Sequence, residues 1–370
     1  MDKHMKYLHR DVSWMYFNHR ILQEAQKETV PLLERLSFLG IYSNNLDEFF
    51  RVRVASISRI AEYDDKNARE EYKEARALLK AINKLNNVYS KEYQETVENV
   101  TACLRKEGIC LVNEKEIDAE QQAYVHDFFR RELNGHLAPI WLDSVKRFDD
   151  EADDCIYLAV KLSREGVKRN YYALLPLPVS RVGRFVRLPD RGGRSYLMYL
   201  DDVVRCCLPL LFPGLHFDHY EAYSFKFTKD AEMEIDSNID SGMLQRISKG
   251  VKSRKRGEPL RIIYDASMPD DLRKRVLNKL ELDRYDTVVS GGKYHNHKDL
   301  MKFPDFGRSD LKYPKWQPIR KPELAEQESI LEAIRKKDRF IHVPYHDFSS
   351  FLRVLQEAAV SKNVKSVKIT

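Results

Sequence analysis

The sequence has little of what several protein classes require. Its 370 residues include only 14 glycines and 14 prolines, with 43% hydrophobic and 32% charged residues, which excludes collagen-like, low-complexity and largely disordered chains. Long apolar runs are also missing. The stretch Cys206–Phe212 spans seven residues and is interrupted by Pro209, whereas a membrane-spanning helix needs about 20. The opening Met-Asp-Lys-His-Met-Lys contains no apolar core of a secretory leader. The five cysteines, Cys103, Cys110, Cys155, Cys206 and Cys207, are odd in number and show no C-x-x-C spacing. That pattern fits reduced thiols in a cytoplasmic protein, not a disulfide frame, and gives no cysteine ladder for zinc. No two glycines are separated by a single residue, so a G-x-G-x-x-G fingerprint is excluded, and Gly291-Gly292-Lys293 lacks the upstream glycine of a P-loop. No H-E-x-x-H occurs. The charge excess is small: 63 basic against 57 acidic residues leave +6, which permits a polyanionic partner without requiring one.

What is present divides by periodicity. A chain of this length is expected to form two or three domains. Residues 11–106 carry apolar residues at helical spacing: Trp14, Phe17, Ile21 and Ala25 after a Ser13 cap, then Leu32, Leu36 and Leu39 behind Pro31. Gly40, Asn44 and Asn45 separate these from a third pattern through Leu46, Phe49, Phe50, Val54 and Ile57. A long amphipathic helix follows over about 68–106, stopped by Gly108. This predicts an N-terminal helical bundle over 1–108. A helix capped by Asp118 and Gln121 opens a mixed α+β domain, 109–306, with strands at 155–162, 170–177, 184–188, 195–199, 221–227 and 260–264, and helices at about 201–211 and 269–281. Recurrent prolines mark 307–322 as a linker. Residues 323–370 then predict a β-α-β start of an α/β domain, with strands at 339–344 and 364–369 around a helix at 347–360.

Few motifs carry chemistry. His4-x-Lys6 with Asp11 matches a phosphotransfer pattern, but sits on a charged terminus where nothing would fix a nucleophile, and is read as chance. Ser43-Asn44-Asn45-Leu46-Asp47-Glu48-Phe49 has two readings. Asn45 and Glu48 form a helix capping box, or Asn45 presents an amide, donor and acceptor together, to the edge of a nucleotide base. His295 and His297 have H-x-H spacing on a predicted strand, without a nearby third ligand, which favours a structural role. His342 and His346 flank a predicted strand end, where either is a nucleophile or, more simply, a packing residue. Lys249, Lys252, Arg254, Lys255 and Arg256 form a basic cluster that is either a solvated loop or a polyanion contact, carried chiefly by Lys252, Arg254 and Arg256. The acidic run 149–154 is read as a solvated loop, and the vicinal Cys206-Cys207 as helix packing.

Longer motifs resemble a known family. Arg10-Asp11-Val12-Ser13-Trp14, Phe17-Asn18-x-Arg20-Ile21-Leu22-Gln23-Glu24-Ala25, Phe38-Leu39-Gly40-Ile41-Tyr42-Ser43-Asn44-Asn45-Leu46-Asp47-Glu48-Phe49, Arg284-Tyr285-Asp286, Gly291-Gly292-Lys293-Tyr294-His295-Asn296 and Val343-Pro344-Tyr345-His346 resemble bacterial polyphosphate kinases of the first type, along essentially the whole chain. The resemblance implies an enzyme that reversibly moves the terminal phosphate of ATP onto inorganic polyphosphate through a phosphohistidine, with Mg2+. It implies a helical domain, a dimerisation domain and phospholipase D-like domains, with Asn45 contacting the base. The phosphohistidine and the magnesium-associated arginines of the family match no residue here. The expectation is therefore an N-terminal part, inactive alone, lacking catalytic and metal-binding residues. Its expected partners are ATP or ADP, polyphosphate, and a second or further copy through 109–306. Nucleic acid is not expected, and the expected location is cytoplasmic, with peripheral membrane association open. The alternative is a free-standing polyanion-binding or interaction module without catalysis.

Overall fold

The computed structural model describes residues 7–62, 69–145, 155–229, 259–280 and 287–370. The chain divides into two compact units, Met1–Lys312 and Tyr313–Thr370. The first begins with α1 (Arg10–Gln26), whose cap is His9, not Ser13: the His9 Nδ1 accepts the backbone N–H of Asp11 at 3.2 Å. The buried face of α1 is Asp11, Met15, Asn18, Leu22 and Ala25. Phe17, expected inside, is 59% exposed. The buried register of Asp11, Met15, Asn18, Leu22 and Ala25 sets the rotation: Trp14 at its edge stacks on Phe49 with ring centroids 4.0 Å apart, and Phe17, beyond Trp14, falls on the solvent side.

α2 (Leu32–Phe49) follows Pro31 and runs straight through Gly40, Asn44 and Asn45, so the expected break there does not occur. A 3₁₀ helix at His297–Lys302 lies on Gly40. A Cβ at that position would come within 2.7 Å of Met301 Cγ and 2.9 Å of its backbone nitrogen. Gly40 thus admits a neighbouring backbone without ending its own helix. The helix widens into a π turn over Phe50–Val54 and continues as α3 (Ala55–Glu62); α4 (Arg69–Lys106) then spans 38 residues and stops before Gly108, whose φ of +80° suits glycine. Leu22, Leu39, Phe50, Ile82 and Leu104 have no exposed surface in this helical core, and each such burial contributes about 1.5–3 kcal/mol.

The capping box predicted at Asp118 is present. Asp118 Oδ1 accepts from the N–H groups of Glu120 and Gln121 at 3.0 Å, and Gln121 returns a bond to the Asp118 N–H, opening α5 (Ala119–Phe128). Two sheets surround it. β1 (Ile109–Val112) runs parallel to β6 (Arg194–Tyr199), which pairs antiparallel with β5 (Phe185–Arg191). The larger sheet has the order β2-β4-β3-β7-β8-β9. These strands are β2 (Ile140–Trp141), β3 (Ile156–Ser163), β4 (Tyr171–Pro176), β7 (His219–Lys229), β8 (Pro259–Asp265) and β9 (Thr287–Gly291). It is antiparallel except for β8 beside β9. β3 is buried on both faces, which explains its near-continuous apolar sequence. Ile156, Leu158, Val160 and Leu162 enter the core beneath α5 and α7 (Leu200–Cys206), while Tyr157 and Ala159 face Leu272 and Val276 of a helix at Asp270–Leu280. A one-turn helix, α6 (Val179–Val182), precedes β5, and α8 (Leu208–Leu211) follows α7 directly.

The second unit holds short helices at Pro322–Ala325 and Ile330–Lys336, and a longer one at Ser349–Val360. Glu357 of the last caps the second, accepting from the backbone N–H of Ile330 at 2.7 Å and of Leu331 at 3.1 Å. The two strands of the expected β-α-β are not formed. Only an isolated parallel bridge joins Ile319 to His346. A strand exists only while its N–H and C=O groups share a ladder, and parallel pairs need cover on both faces. Here the backbone after 341 is committed to a tight turn instead. The His342 N–H donates to His346 Nδ1 and the His346 N–H to the His342 carbonyl, both at 2.8 Å.

Candidate functional site

The Ser43–Phe49 segment is the meeting point of the helical layer and the larger sheet, and its residues divide into two groups by orientation. Asn45 lies on the α1 side of α2, half-buried beside fully buried Asn18. Asn45 Nδ2 donates to Asn18 Oδ1 at 3.3 Å, and Asn18 Nδ2 donates onward to the Tyr42 carbonyl at 3.2 Å. One turn on, Phe49 is stacked on Trp14. The amide of Asn18 is therefore used on both sides and fixes that of Asn45, whose Oδ1 and second N–H keep capacity for a ligand. Because Asn45 sits inside a helix, its side chain cannot act as an N-cap, and the capping-box reading is overturned. Asn18 was not singled out for a role in the sequence. Its signal was a polar residue in register with Met15, Leu22 and Ala25.

Asp47, two residues on, points the other way. Its Oδ2 accepts from Lys226 Nζ at 2.8 Å and its Oδ1 from Arg261 Nη1 at 3.1 Å. Lys226 also donates to Asn296 Oδ1 at 2.9 Å, and the Arg261 guanidinium lies 4.5 Å over the Phe50 ring. Burial works to raise the Asp47 pKa, but Lys226 and Arg261 outweigh it and hold the carboxyl below its ordinary value. These cations come from β7 and β8, 179 and 214 residues away in sequence.

The Gly291–Asn296 stretch braces this junction from below. A Cβ on Gly291 would meet Ile263 at 2.9 Å, and one on Gly292 would meet Gln94 at 2.7 Å. Tyr294 donates to Asp202 Oδ2 at 2.5 Å, while Lys293 reaches Glu114 at 2.5 Å and Asp202 Oδ1 at 2.9 Å. Asp202 is fully buried, and that burial pushes its pKa up to about 6 despite Arg205 and Lys293. His295 and His297 are not on a strand, because β9 ends at Gly291. His295 Nε2 lies 3.1 Å from the Ser224 carbonyl, and the His297 ring lies 5.4 Å from that of Tyr93. Burial lowers their pKa values to about 3 and about 4, so both rings stay neutral at pH 7. Asp11 is held by Arg53 through two contacts of 3.1 and 3.2 Å, a structural pairing. Lys252, Arg254 and Arg256, with His4, Lys6, the 149–154 run and Arg284-Tyr285-Asp286, lie outside the described residues. A cavity of about 770 Å³ lined by Gln94, Arg105, Arg194, Tyr199 and Tyr294 does not include Asn45.

Comparison with known proteins matches three consecutive descriptions: the polyphosphate kinase N-terminal domain over residues 7–112, the middle domain over 120–303, and C-terminal domain 1 over 329–370. The chain belongs to the polyphosphate kinase family. A polyphosphate kinase of Vibrio parahaemolyticus is 34% identical over 375 residues, covering 100% of this chain and 53% of that protein. One of Escherichia coli K12 is 34% identical over 381 residues, covering 100% of this chain and 54% of its own. The crystal structure of polyphosphate kinase from Porphyromonas gingivalis superposes with a TM-score of 0.76 at 30% identity, over 96% of this chain and 50% of that one. The chain thus spans about half the length of the curated polyphosphate kinases it matches. None of the described helices is long and apolar enough to cross a membrane.

Proposed function

We propose that this chain serves a polyphosphate kinase that transfers the terminal phosphate of ATP reversibly to inorganic polyphosphate, and that its own part is to grip the adenine base through Asn45. The observation that carries the reading is the Asn18–Asn45 pair. A buried amide holds a half-buried one by a single 3.3 Å bond, leaving a donor and an acceptor outward on a rigid helix. That is the edge chemistry adenine requires. The Asp47 anchor supports it by tying the same helix to β7 and β8. Residues 109–306 are proposed as the surface through which copies assemble, 323–370 as the start of a phospholipase D-like domain, and Lys252, Arg254 and Arg256 as a polyphosphate contact. The proposed location is cytoplasmic.

The phosphoryl-carrying histidine is not assigned within this chain. His295 is buried with its Nε2 against the Ser224 carbonyl, and the His297 ring packs against Tyr93, so both are read as structural residues. Mg2+ prefers hard oxygen donors in octahedral array. Among the described residues, the one group of three or more histidine, cysteine or acidic side chains close enough to share an ion is sulfur-rich. These residues do not fit Mg2+, and no step is routed through it.

The test is titration of the 370-residue chain with ATP. Asn45→Ala is expected to weaken ATP binding by about 1–3 kcal/mol, the worth of a good paired contact to a base edge, beside a loss of about 1 kcal/mol in stability because Asn18 Oδ1 loses its donor. Unchanged affinity with a lowered melting temperature would reduce Asn45 to a packing amide.

A further inference from the structure

The sulfur-rich group lies far from the Asn45 region in sequence and is used by nothing described so far. His126 occupies the last turn of α5, and Cys206 and Cys207 form the junction between α7 and α8. The fold brings them together across 80 residues: His126 Nε2 lies 3.9 Å from Cys206 Sγ. The three donor atoms all fall within 4.8 Å of one another. Cys207 is fully buried, with its sulfur 3.9 Å from the Val125 carbonyl, while Cys206 and His126 are half-buried. The cluster is therefore closed on the core side and reachable from solvent.

We propose that His126, Cys206 and Cys207 form a site for a single zinc-class ion, which staples α5 to the α7–α8 junction. The argument is one of donor chemistry and spacing. Zinc binds thiolate sulfur at about 2.3 Å and imidazole nitrogen at about 2.0–2.1 Å, so tetrahedral donors sit roughly 3.5–3.8 Å apart. The observed separations reach that range with shifts well under an ångström for the His126–Cys206 pair. Two sulfurs and an imidazole select zinc or another soft ion over magnesium or calcium. Three protein donors leave one coordination place for water. Binding replaces both thiol protons, so up to two protons are released per ion and affinity rises with pH. The sequence concealed the site because a vicinal cysteine pair without C-x-x-C spacing has no local zinc signature, and its third ligand comes from another helix.

The 370-residue chain, purified reduced and metal-free, is to be titrated with Zn2+ and, separately, with Co2+. The expected result is one ion per chain, with a thiolate-to-cobalt charge-transfer band in the near ultraviolet. Zn2+ is expected to slow alkylation of Cys206, read by peptide mass spectrometry, and to leave alkylation of half-buried Cys103 unchanged. Cys206→Ser and His126→Gln, both at half-buried positions, should each lower Zn2+ affinity at least about tenfold, and Zn2+ should raise the melting temperature of the parent but not of Cys206→Ser. Absence of the charge-transfer band, equal alkylation of Cys206 with and without Zn2+, or Zn2+ affinity unchanged in both variants overturns the assignment. The alkylation comparison uses the unaltered protein, so it decides the matter even if a variant fails to fold.

Discussion

Asn45 and Asp47 stand two residues apart on one helix, yet their surroundings are opposite. Around Asp47 two buried cations are aimed at the carboxylate: Lys226 is 2% exposed and Arg261 4%. Around Asn45 one buried amide, Asn18, orients a side chain that keeps hydrogen-bonding capacity outward. The contrast teaches how one short motif can set two side chains in opposite surroundings. The inward residue joins layers, at a desolvation cost that only a complete ion cluster offsets. The outward residue is positioned by the same helix and remains available for a ligand.

The sharpest way to break the comparison is at Asp47. Asp47→Ala leaves Lys226 and Arg261 buried without their carboxylate, and is expected to cost about 3–5 kcal/mol in chemical denaturation. A loss below about 1 kcal/mol would mean that the cluster does not join the layers. Lowering the pH probes the histidines packed beneath the junction. A histidine whose pKa falls from 6.5 in the unfolded chain to about 3 in the native one stabilises the fold above pH 6.5. That contribution drains away as the pH falls from 6.5 towards 3, at up to about 1.4 kcal/mol per pH unit. Asp202, raised from 3.8 to about 6, acts in the opposite sense: its contribution is complete below pH 3.8 and is lost as the pH rises through 6. Denaturation midpoints of the parent and His295→Gln across pH 6.5–4.5 are expected to diverge most at pH 6.5 and converge on acidification, by about 2–3 kcal/mol. Parallel profiles would show that His295 takes up its proton as readily in the fold as in the unfolded chain, contrary to its lowered pKa.

Much of the architecture was legible because its signals are local. The capping box at Asp118, the apolar runs of β3 and β4 and the stop at Gly108 each depend on neighbouring residues, and each matches the fold. The failures share a cause. Gly40 and Asn45 carry local signals of a helix boundary, yet the helix continues because the His297–Lys302 turn needs the space at Gly40 and Asn18 engages Asn45. Phe17 fits a core position by spacing, yet the buried face of its helix runs through Met15, Asn18 and Leu22 and leaves it exposed. The strands expected at 339–344 and 364–369 have suitable composition without a ladder. Of the candidate site, the sequence offered Asn45 as one of two readings of its motif, and the family resemblance favoured the base contact over the cap. Lys226, Arg261 and His126 were invisible, because their partners are distant in the chain and are brought close only by β7, β8 and α5.

A double-mutant cycle on ATP affinity tests the central claim most directly, using Asn18→Ala, Asn45→Ala and the pair together. If Asn18 acts by holding Asn45, Asn18→Ala alone should weaken ATP binding, and the double variant should bind about as well as Asn45→Ala, a coupling of about 1 kcal/mol. Independent, additive losses, or no loss from Asn45→Ala at all, would contradict the account.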